Sequence, residues 1–323
     1  MTFNYQIISN NLLKELPQRH RNILRKRFGF DSKEKLTLES IGKEYELTRE
    51  RVRQIEQDGL NQLRKKVNIS SSPFSYFWEE IHSNGNLKRE TSLVSGLGEE
   101  KFENQILFLL SLDSRLEKFR ETEEFYSFWA IGKEPIILAR QAISIFAKEL
   151  EKNNKPLTLK QYPSPFPEKT LFSYLEVSKK ILRTSGGFYG LSNWPEINPK
   201  GVKDKAYLAL KKENKPLHFS VVSGAIGKDG NMQTVHNELI KDPRFILVGR
   251  GTYALSEWGY KSGVVKDVIS DIIKESKKPL AQNDILKGVL EQRMVKENTV
   301  LLNLNNKKYF LKDSQGKYKI REA

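Results

Sequence analysis

Apolar residues recur at helical spacing between positions 52 and 67 and predict an amphipathic helix. The apolar stripe comprises Val52, Ile55, Leu60, Leu63 and Val67. Thr48 stands just before this helix, where its hydroxyl can accept a hydrogen bond from an amide one turn later. With about 100° of rotation per residue, a set of polar side chains falls opposite the stripe. These are Glu50, Arg53, Gln54 and Gln57, with Arg49 beside them.

The polar face has the chemistry needed to meet base edges in the major groove of DNA. Arginine pairs bidentately with guanine, glutamine pairs with adenine, and glutamate accepts a hydrogen bond from cytosine. A carboxylate in the first turn, as at Glu50, also suits the positive end of the helix dipole. The alternative is an ordinary amphipathic helix whose charged face is only solvated.

The residues before Thr48 predict a second, supporting helix. Residues 37–45 (TLESIGKEY) form a short amphipathic segment with Thr37 as its cap, and Glu46 and Leu47 form a tight turn. Upstream, residues 17–28 predict a further helix, with proline near its first turn and glycine just past its end. Two short helices joined in this way form a helix-turn-helix, whose second helix enters the major groove.

Residues 12–64 resemble region 4 of the housekeeping sigma factors of bacterial RNA polymerase. The matching stretches are LPQRHRNILRKRFGF, LTLESIGKEY and LTRERVRQIE, the last followed by L-x-x-L-R. In that family the domain reads the upstream promoter hexamer and packs against the flap of the polymerase β subunit. The resemblance therefore implies two partners, double-stranded DNA and the RNA polymerase core. It implies that Arg49, Glu50, Arg53 and Gln54 face the bases, that Thr48 and Arg51 lie nearer the phosphates, and that Gln57 shares the DNA-binding face.

The sequence departs from the pattern of this family at two places. Ser40 stands where the family usually has glutamate, which predicts a weaker capping box in the supporting helix. Asp58 and Gly59 replace a basic residue and a helix former, and glycine costs about 1 kcal/mol inside a helix. We therefore expect an interruption of the recognition helix there. Because the resemblance covers no other sigma segment, we expect the chain not to be a complete sigma factor.

The following 250 residues or so contain a repeat of about 64 residues. Each of three copies opens on Lys-Pro-Leu, at residues 155–157, 215–217 and 278–280. Each closes on a tyrosine in an aromatic strand, and these tyrosines are Tyr189, Tyr253 and Tyr318.

The clearest copy predicts three helices followed by a two-stranded hairpin, which is the order of elements in a winged helix. Its third helix covers residues 232–241, and its hairpin joins residues 245–248 to 252–255. The sequence therefore predicts a mainly α protein, with a sigma region 4-type helix-turn-helix followed by a tandem array of winged-helix units. The predicted domains are residues 1–69 (helix-turn-helix), 70–133 (a degenerate acidic winged-helix-like unit), and 134–199, 200–261 and 262–323 (winged-helix units).

The repeated unit resembles the HARE-type winged helix, which occurs in the delta subunit of some bacterial RNA polymerases. The matching residues are KPLHF, MQTVHNELIKDPRF and VGRGTYALSEW. Such modules bind DNA in some settings and protein in others, so their function stays open. If the clear copy binds DNA, its reading residues are Gln233, His236, Asn237 and Lys241, with Arg250 on the wing for phosphate. Alternatively, these residues form only the solvated face of the third helix.

The charge distribution indicates where a polyanion can bind. The net charge is +15, and residues 1–69 contribute 15 Lys and Arg against 9 Asp and Glu. Residues 70–133 carry 7 against 11 and are acidic, whereas the three later blocks are basic. The basic blocks favour nucleic acid as a partner. The acidic block more plausibly acts as a spacer or contacts a basic protein surface.

Several classes of site and location are unsupported by the sequence. The chain has no cysteine and its four histidines show no ligand spacing, so we expect no metal and no cofactor. No phosphate-binding glycine loop or nucleophile elbow is present, so we expect neither an enzyme nor a small-molecule substrate. The longest apolar run, at 106–112, is too short to span a bilayer, and the N-terminus lacks signal-peptide features. We therefore expect a cytoplasmic protein without a membrane partner.

Three functions are compatible with these observations. The leading hypothesis is a DNA-binding transcription factor in bacterial transcription initiation, which reads an upstream promoter element. The alternative is a polymerase-associated interaction protein that docks on the flap and contacts DNA only nonspecifically. A third interpretation, DNA binding within a restriction or defence system, rests on fold analogy alone.

Overall fold

The computed structural model describes residues 3–32 and 34–321. The chain divides into two compact units, Met1–Asn193 and Trp194–Ala323. Helices dominate each unit, which confirms the prediction of a mainly α protein. In the described part of the chain, no helix has both the length and the apolar character needed to cross a membrane.

Four helices form the N-terminal region. They are α1 (Tyr5–Lys14), α2 (Gln18–Phe28), α3 (Leu38–Tyr45) and α4 (Arg49–Lys66). The first begins where Asn4 Oδ1 accepts a hydrogen bond from the Ile7 amide at 3.1 Å. The second follows Pro17 and ends at Gly29, whose φ of 69° is the left-handed conformation that closes helices. The helices predicted to precede the recognition helix are therefore found within one residue of their expected bounds.

The recognition helix α4 is continuous through Asp58 and Gly59, so the predicted interruption is wrong. Gly59 is buried, and a Cβ at this position would lie 3.1 Å from Leu24 Cδ1 on α2. Asp58 accepts a hydrogen bond from Gln62 Nε2 at 2.9 Å and lies 3.0 Å from His20 Nε2. The absence of a side chain at Gly59 lets the two helices pack closely, which offsets its low helix propensity.

The acidic segment 70–133 contains three helices and a three-stranded antiparallel sheet. The elements are α5 (Phe74–His82), β1 (Leu87–Arg89), α6 (Glu90–Leu97), α7 (Glu103–Leu112), β2 (Glu117–Phe119) and β3 (Phe128–Ala130). The strand order is β1-β3-β2. Residues Gln105–Leu110 and Leu112 of α7 are buried, which explains the long apolar run seen in the sequence.

One hydrophobic core joins the N-terminal helices to this acidic segment. It includes Leu24 and Leu63 from α2 and α4, and Phe77 and Phe108 from α5 and α7. The Tyr5 hydroxyl donates to the Leu97 carbonyl at 2.7 Å across the same boundary. The apolar side of the N-terminal helices is therefore covered by residues 74–131, and the two segments share their core.

The rest of the chain contains three further segments with a similar order of elements. Residues 134–193 form α8 (Glu134–Asn153), α9 (Glu168–Glu176), β4 (Ile181–Arg183) and β5 (Tyr189–Leu191). Residues 200–261 form α10 (Gly201–Glu213), β6 (Leu217–His218), α11 (Phe219–Ile226), α12 (Met232–Lys241), β7 (Phe245–Gly249) and β8 (Thr252–Leu255). Residues 262–321 form α13 (Val265–Ser276), α14 (Gln282–Gln292), α15 (Glu297–Leu304), β9 (Phe310–Lys312) and β10 (Tyr318–Ile320).

The opening and closing markers of the sequence repeat meet in space. The leucine of each Lys-Pro-Leu pairs with the closing tyrosine, as Leu157 with Tyr189, Leu217 with Tyr253, and Leu280 with Tyr318. In residues 200–261 this pairing adds a third strand, so the sheet has the order β6-β8-β7 instead of the predicted two strands. The prediction missed β6 because two residues are too few to show an alternating pattern.

A second repeated feature is the turn that follows the last helix of each segment. Each turn has a side-chain oxygen that accepts a hydrogen bond from the amide two residues later, as in other Asx and Ser turns. The pairs are Asp113 with Arg115 at 3.0 Å, Ser178 with Lys180 at 3.0 Å, Asp242 with Arg244 at 3.0 Å, and Asn306 with Lys308 at 3.1 Å. The acceptor positions lie 65, 64 and 64 residues apart, so the repeat includes the acidic segment.

We expect Arg244→Ala to lower the free energy of unfolding of residues 194–323 by about 1–2 kcal/mol at pH 7. The guanidinium of Arg244 donates to Asp242 Oδ2 at 2.7 Å and to Asp204 Oδ1 at 2.8 Å. Both carboxylates are mostly buried and would lose this partner. Urea unfolding of the full chain measures the effect, with the exposed Arg250→Ala as a control that should change little.

The effect of Arg244→Ala should depend on pH in a defined direction. Arg244 holds the pKa of the Asp242 carboxyl below its ordinary value of 3.8, chiefly through their side-chain hydrogen bond. The stabilisation is therefore complete above pH 3.8 and is lost as the pH falls through the lowered pKa. A difference between wild type and variant that grew on acidification would contradict this assignment.

Candidate nucleic-acid interface

A tight turn between α3 and α4 sets the geometry of the candidate interface. Glu46 has a φ of 53°, and the Leu47 amide donates back to the Gly42 carbonyl at 2.8 Å. A Cβ on Gly42 would lie 2.6 Å from the Leu47 carbonyl oxygen, which is closer than any side chain tolerates. Gly42 therefore allows the two helices to meet at this angle. The sequence prediction did not identify this residue, although a glycine inside a short helix was a visible signal.

The two helices pack through a small apolar cluster and are capped as predicted. Ile41 on α3 and Val52 and Ile55 on α4 are buried together with Ile23 of α2. A threonine hydroxyl caps the N-terminus of each helix. Thr37 Oγ1 accepts a hydrogen bond from the Ser40 amide, and Thr48 Oγ1 accepts one from the Arg51 amide, each at 3.1 Å. Because both the caps and the buried cluster fix α4, its outer face is held on a rigid base.

Every residue predicted to lie on the DNA-binding face of the recognition helix is exposed to solvent. The helix thus presents one continuous polar surface over its first three turns, with arginine, glutamine and glutamate side chains available to a partner. These residues are Thr48, Arg49, Glu50, Arg51, Arg53, Gln54 and Gln57.

Two pairs of polar side chains order this surface. Arg53 donates from Nε and Nη2 to the two carboxylate oxygens of Glu50, at 2.9 and 2.7 Å. Arg51 Nη1 donates to Gln54 Oε1 at 3.1 Å. The bidentate hydrogen bond from Arg53 is the main cause that lowers the pKa of the Glu50 carboxyl, so this group stays ionised. Exposed pairs of this kind contribute little to stability and can exchange for base contacts at small cost.

In the second set of predicted DNA-binding residues, four side chains are exposed and one packs against an aromatic ring. Gln233, Asn237 and Lys241 are exposed at intervals of four residues on α12, and Arg250 is exposed in the turn between β7 and β8. His236 instead packs its ring on Phe219, with centroids 4.4 Å apart and an interplanar angle of 22°. This position suits a packing role for His236 better than a base-reading role.

The described residues contain no group of three or more histidine, aspartate or glutamate side chains arranged to hold a metal ion. A capped support helix, a tight turn and an exposed polar helix define residues 37–66 as a helix-turn-helix of the DNA-binding type.

Comparison with known proteins finds a family model that matches the N-terminal part of the chain. Residues 12–65 match the model for Sigma-70, region 4, so this part of the chain is similar to a sigma region 4 domain. The segment is 56% identical over 52 residues to the RNA polymerase sigma factor RpoS of Coxiella burnetii. It is 42% identical over 57 residues to RpoD of Neisseria gonorrhoeae and 44% identical over 55 residues to SigA of Lactococcus lactis subsp. cremoris.

The similarity to these sigma factors is confined to a small part of each protein. The matched segments cover 16%, 18% and 17% of this chain, and 15%, 9% and 15% of RpoS, RpoD and SigA respectively. The activity and partners of a whole sigma factor therefore do not transfer with the match.

Proposed function

We propose that the protein is a DNA-binding transcription factor of bacterial transcription initiation that reads an upstream promoter element. The observation that carries this proposal is the orientation of α4. Its polar face is exposed, whereas its apolar face is buried against α2, α3 and the acidic segment. A helix held in this way can enter the major groove with its N-terminal half.

The proposed contacts follow the chemistry of each side chain. Arg53, Arg49 and Gln54 are donors to guanine and adenine edges, and Glu50 accepts from cytosine. Thr48 and Arg51 lie at the start of the helix and serve the phosphates, where backbone contacts fix the register of the complex.

We further propose that residues 70–133, 134–199, 200–261 and 262–323 are winged-helix units of one tandem array. Their shared order of elements and their repeated turn support this assignment. Gln233, Asn237, Lys241 and Arg250 would supply a second, weaker DNA contact. Several weak sites on one chain raise affinity through effective concentration, so no single unit has to bind tightly.

Fluorescence anisotropy of the full chain tests the promoter-reading proposal. One duplex carries TTGACA, the hexamer of the housekeeping sigma family, and the other a scrambled hexamer, each at two salt concentrations. Attraction to the phosphates depends on salt and is the same for both duplexes, whereas base contacts form only on the preferred sequence. We therefore expect a preference of about 10³-fold or more for the promoter-like duplex. Equal binding to both duplexes that collapses with salt would leave only nonspecific attraction and would contradict readout of this hexamer.

Arg53→Ala is expected to weaken binding to the preferred duplex by about 1–3 kcal/mol and to reduce discrimination between duplexes. The matched control is Arg140→Ala. Arg140 is also an exposed arginine paired with a glutamate, at 3.1 Å from Glu124, but it lies on α8. If both variants weakened all duplexes equally, Arg53 would contribute charge and not base readout.

Two observations count against the alternative of a polymerase-docking protein. The apolar side of the N-terminal helices is already covered by residues 74–131. Seven of the eleven acidic residues in the segment 70–133 form ion pairs with basic residues of this chain, which leaves less negative charge for a basic partner. They are Glu80, Glu90, Glu99, Glu103, Asp113, Glu121 and Glu124. Gel filtration with purified core RNA polymerase in the absence of DNA tests the docking function, which requires co-elution; a protein that does not co-elute and still prefers the promoter-like duplex is not a docking protein.

A further inference from the structure

A cleft of about 630 Å³ opens in the segment 134–193, between α9 and the β4–β5 hairpin. Three basic side chains line it, Lys160, Lys169 and Arg183, against a single carboxylate, Glu168. The volume lies within the range of small-molecule sites in proteins. The excess of positive charge indicates an anionic ligand.

Aromatic rings form part of the same wall. The Arg183 guanidinium lies 5.5 Å from the centre of the Phe172 ring and 5.9 Å from that of Tyr189. Both rings line the cleft together with the backbone of the hairpin turn at Gly186 and Gly187. A ligand that carries both phosphate and a flat ring would use the cations and the aromatic wall at once.

The Tyr189 hydroxyl is a polar group that lacks a partner in this wall. Tyr189 is only 4% exposed, and its hydroxyl is buried without a hydrogen bond to any described residue. Desolvation by burial raises the pKa of Tyr189 to about 12, so the hydroxyl keeps its proton and can donate. Buried hydroxyls normally have a partner, so Tyr189 carries an unfilled hydrogen-bonding position in a residue that lines the cleft.

The other two repeats that open on Lys-Pro-Leu carry a larger or a polar side chain at the position where Leu159 lines the cleft. The residue two places after the Lys-Pro-Leu leucine is Leu159 here, Phe219 in the second repeat and Gln282 in the third. Phe219 stacks on His236, and Gln282 Oε1 lies 3.4 Å from the Tyr318 hydroxyl. Leucine offers neither a stacking ring nor a hydrogen-bond acceptor. The substitution of leucine at this position therefore distinguishes this repeat from the other two that open on Lys-Pro-Leu.

The N-terminus of α9 adds a further feature that favours phosphate. The helix has nine residues and follows Pro167, and no side chain of the described residues caps its first amides. Glu168 and Lys169 of its first turn line the cleft. Uncapped amides at the positive end of a helix attract phosphate oxygens. Lys169 Nζ now donates to Ser83 Oγ at 3.0 Å, a neutral partner that a phosphate oxygen can replace.

We propose that this cleft binds a free nucleotide, with its phosphates at Lys160, Lys169 and Arg183 and its base against the Phe172 ring. The site lies apart from the recognition helix and would give the protein a small-molecule ligand in addition to DNA. Its occupancy would couple to the position of the β4–β5 hairpin, because Arg183 and Tyr189 belong to these two strands.

Isothermal titration calorimetry of the full chain with ATP, GTP and inorganic phosphate tests the proposal. We expect at least one nucleotide to bind more tightly than phosphate, and Arg183→Ala to weaken it by about tenfold to a hundredfold. Lys148→Ala removes an exposed lysine of α8 that does not line the cleft, and should leave the affinity unchanged.

Leu159→Phe is the decisive variant, because it copies the sister repeat and fills the cleft while keeping every cation. Nucleotide affinity should be lost in Leu159→Phe, with thermal unfolding used to verify that the variant is folded. Affinity equal to wild type in a folded Leu159→Phe would show binding by surface charge alone and overturn the proposal. Binding of a single-stranded oligonucleotide in the absence of any free-nucleotide binding would also overturn it and assign the cleft to a nucleic-acid strand.

Discussion

Phe108→Ala is expected to lower the free energy of unfolding of residues 1–193 by about 3–5 kcal/mol. Phe108 is fully buried on α7, with its ring 5.2 Å from that of Phe28 and 5.4 Å from that of Phe30. Truncation would leave a cavity between the N-terminal helices and the acidic segment. Thermal and urea unfolding of the full chain measure the loss of stability.

The control for this variant is Phe188→Ala, which removes the same side chain from a residue that is 43% exposed. This variant should lower the free energy of unfolding much less than Phe108→Ala, because an exposed side chain loses little packing. Phe108 joins the N-terminal helices to the acidic segment. In the wild-type protein these two segments should therefore unfold in one transition. If the N-terminal helices kept their stability in Phe108→Ala, the shared core would contribute little to the stability of these helices.

Gly42→Ala is expected to destabilise the helix-turn-helix by about 1–3 kcal/mol and to reduce promoter-duplex affinity as well. The added Cβ would lie 2.6 Å from the Leu47 carbonyl, a backbone atom that cannot rotate away. The turn has to open, and α4 then shifts relative to α3. Urea unfolding and fluorescence anisotropy on the promoter-like duplex measure the two effects.

Gly96→Ala provides a matched substitution with the opposite expected sign. Gly96 lies in α6, is exposed, and has nothing within 4 Å of the position of an added Cβ. Alanine favours a helix over glycine by up to about 1 kcal/mol, so this variant should be neutral or more stable. If Gly42→Ala behaved like Gly96→Ala, the close approach at Leu47 would not constrain the turn.

Local sequence patterns predicted the helix-turn-helix well, because its signals act within one or two turns of helix. The caps at Thr37 and Thr48 and the stripe from Val52 to Leu63 are each short-range features. The same patterns placed α12 at its observed bounds, since Asp242 and Pro243 end this helix locally. The similarity to sigma region 4 over residues 12–65 agrees with this part of the prediction.

Local sequence patterns did not predict contacts between residues that are far apart along the chain. The prediction of an interruption at Gly59 was wrong because propensity alone ignored the close packing of α2. The charge of residues 70–133 predicted a spacer or a protein contact, but did not show that α7 packs on the N-terminal helices. The acidic side chains carry a net charge in the sequence, yet two of them, Glu103 and Glu121, pair with the distant residues Lys35 and Lys179.

The sequence by itself determined the helix-turn-helix, the polar face of its recognition helix and the repeat that follows. These features depend on backbone propensity and on side-chain periodicity, which any short stretch of chain displays. Only the tertiary structure decided which faces are covered, that the Tyr189 hydroxyl has no hydrogen-bond partner among the described residues, and that a cleft opens beside the β4–β5 hairpin. Such properties depend on which distant side chains meet in space, and burial and cavities arise only from that packing.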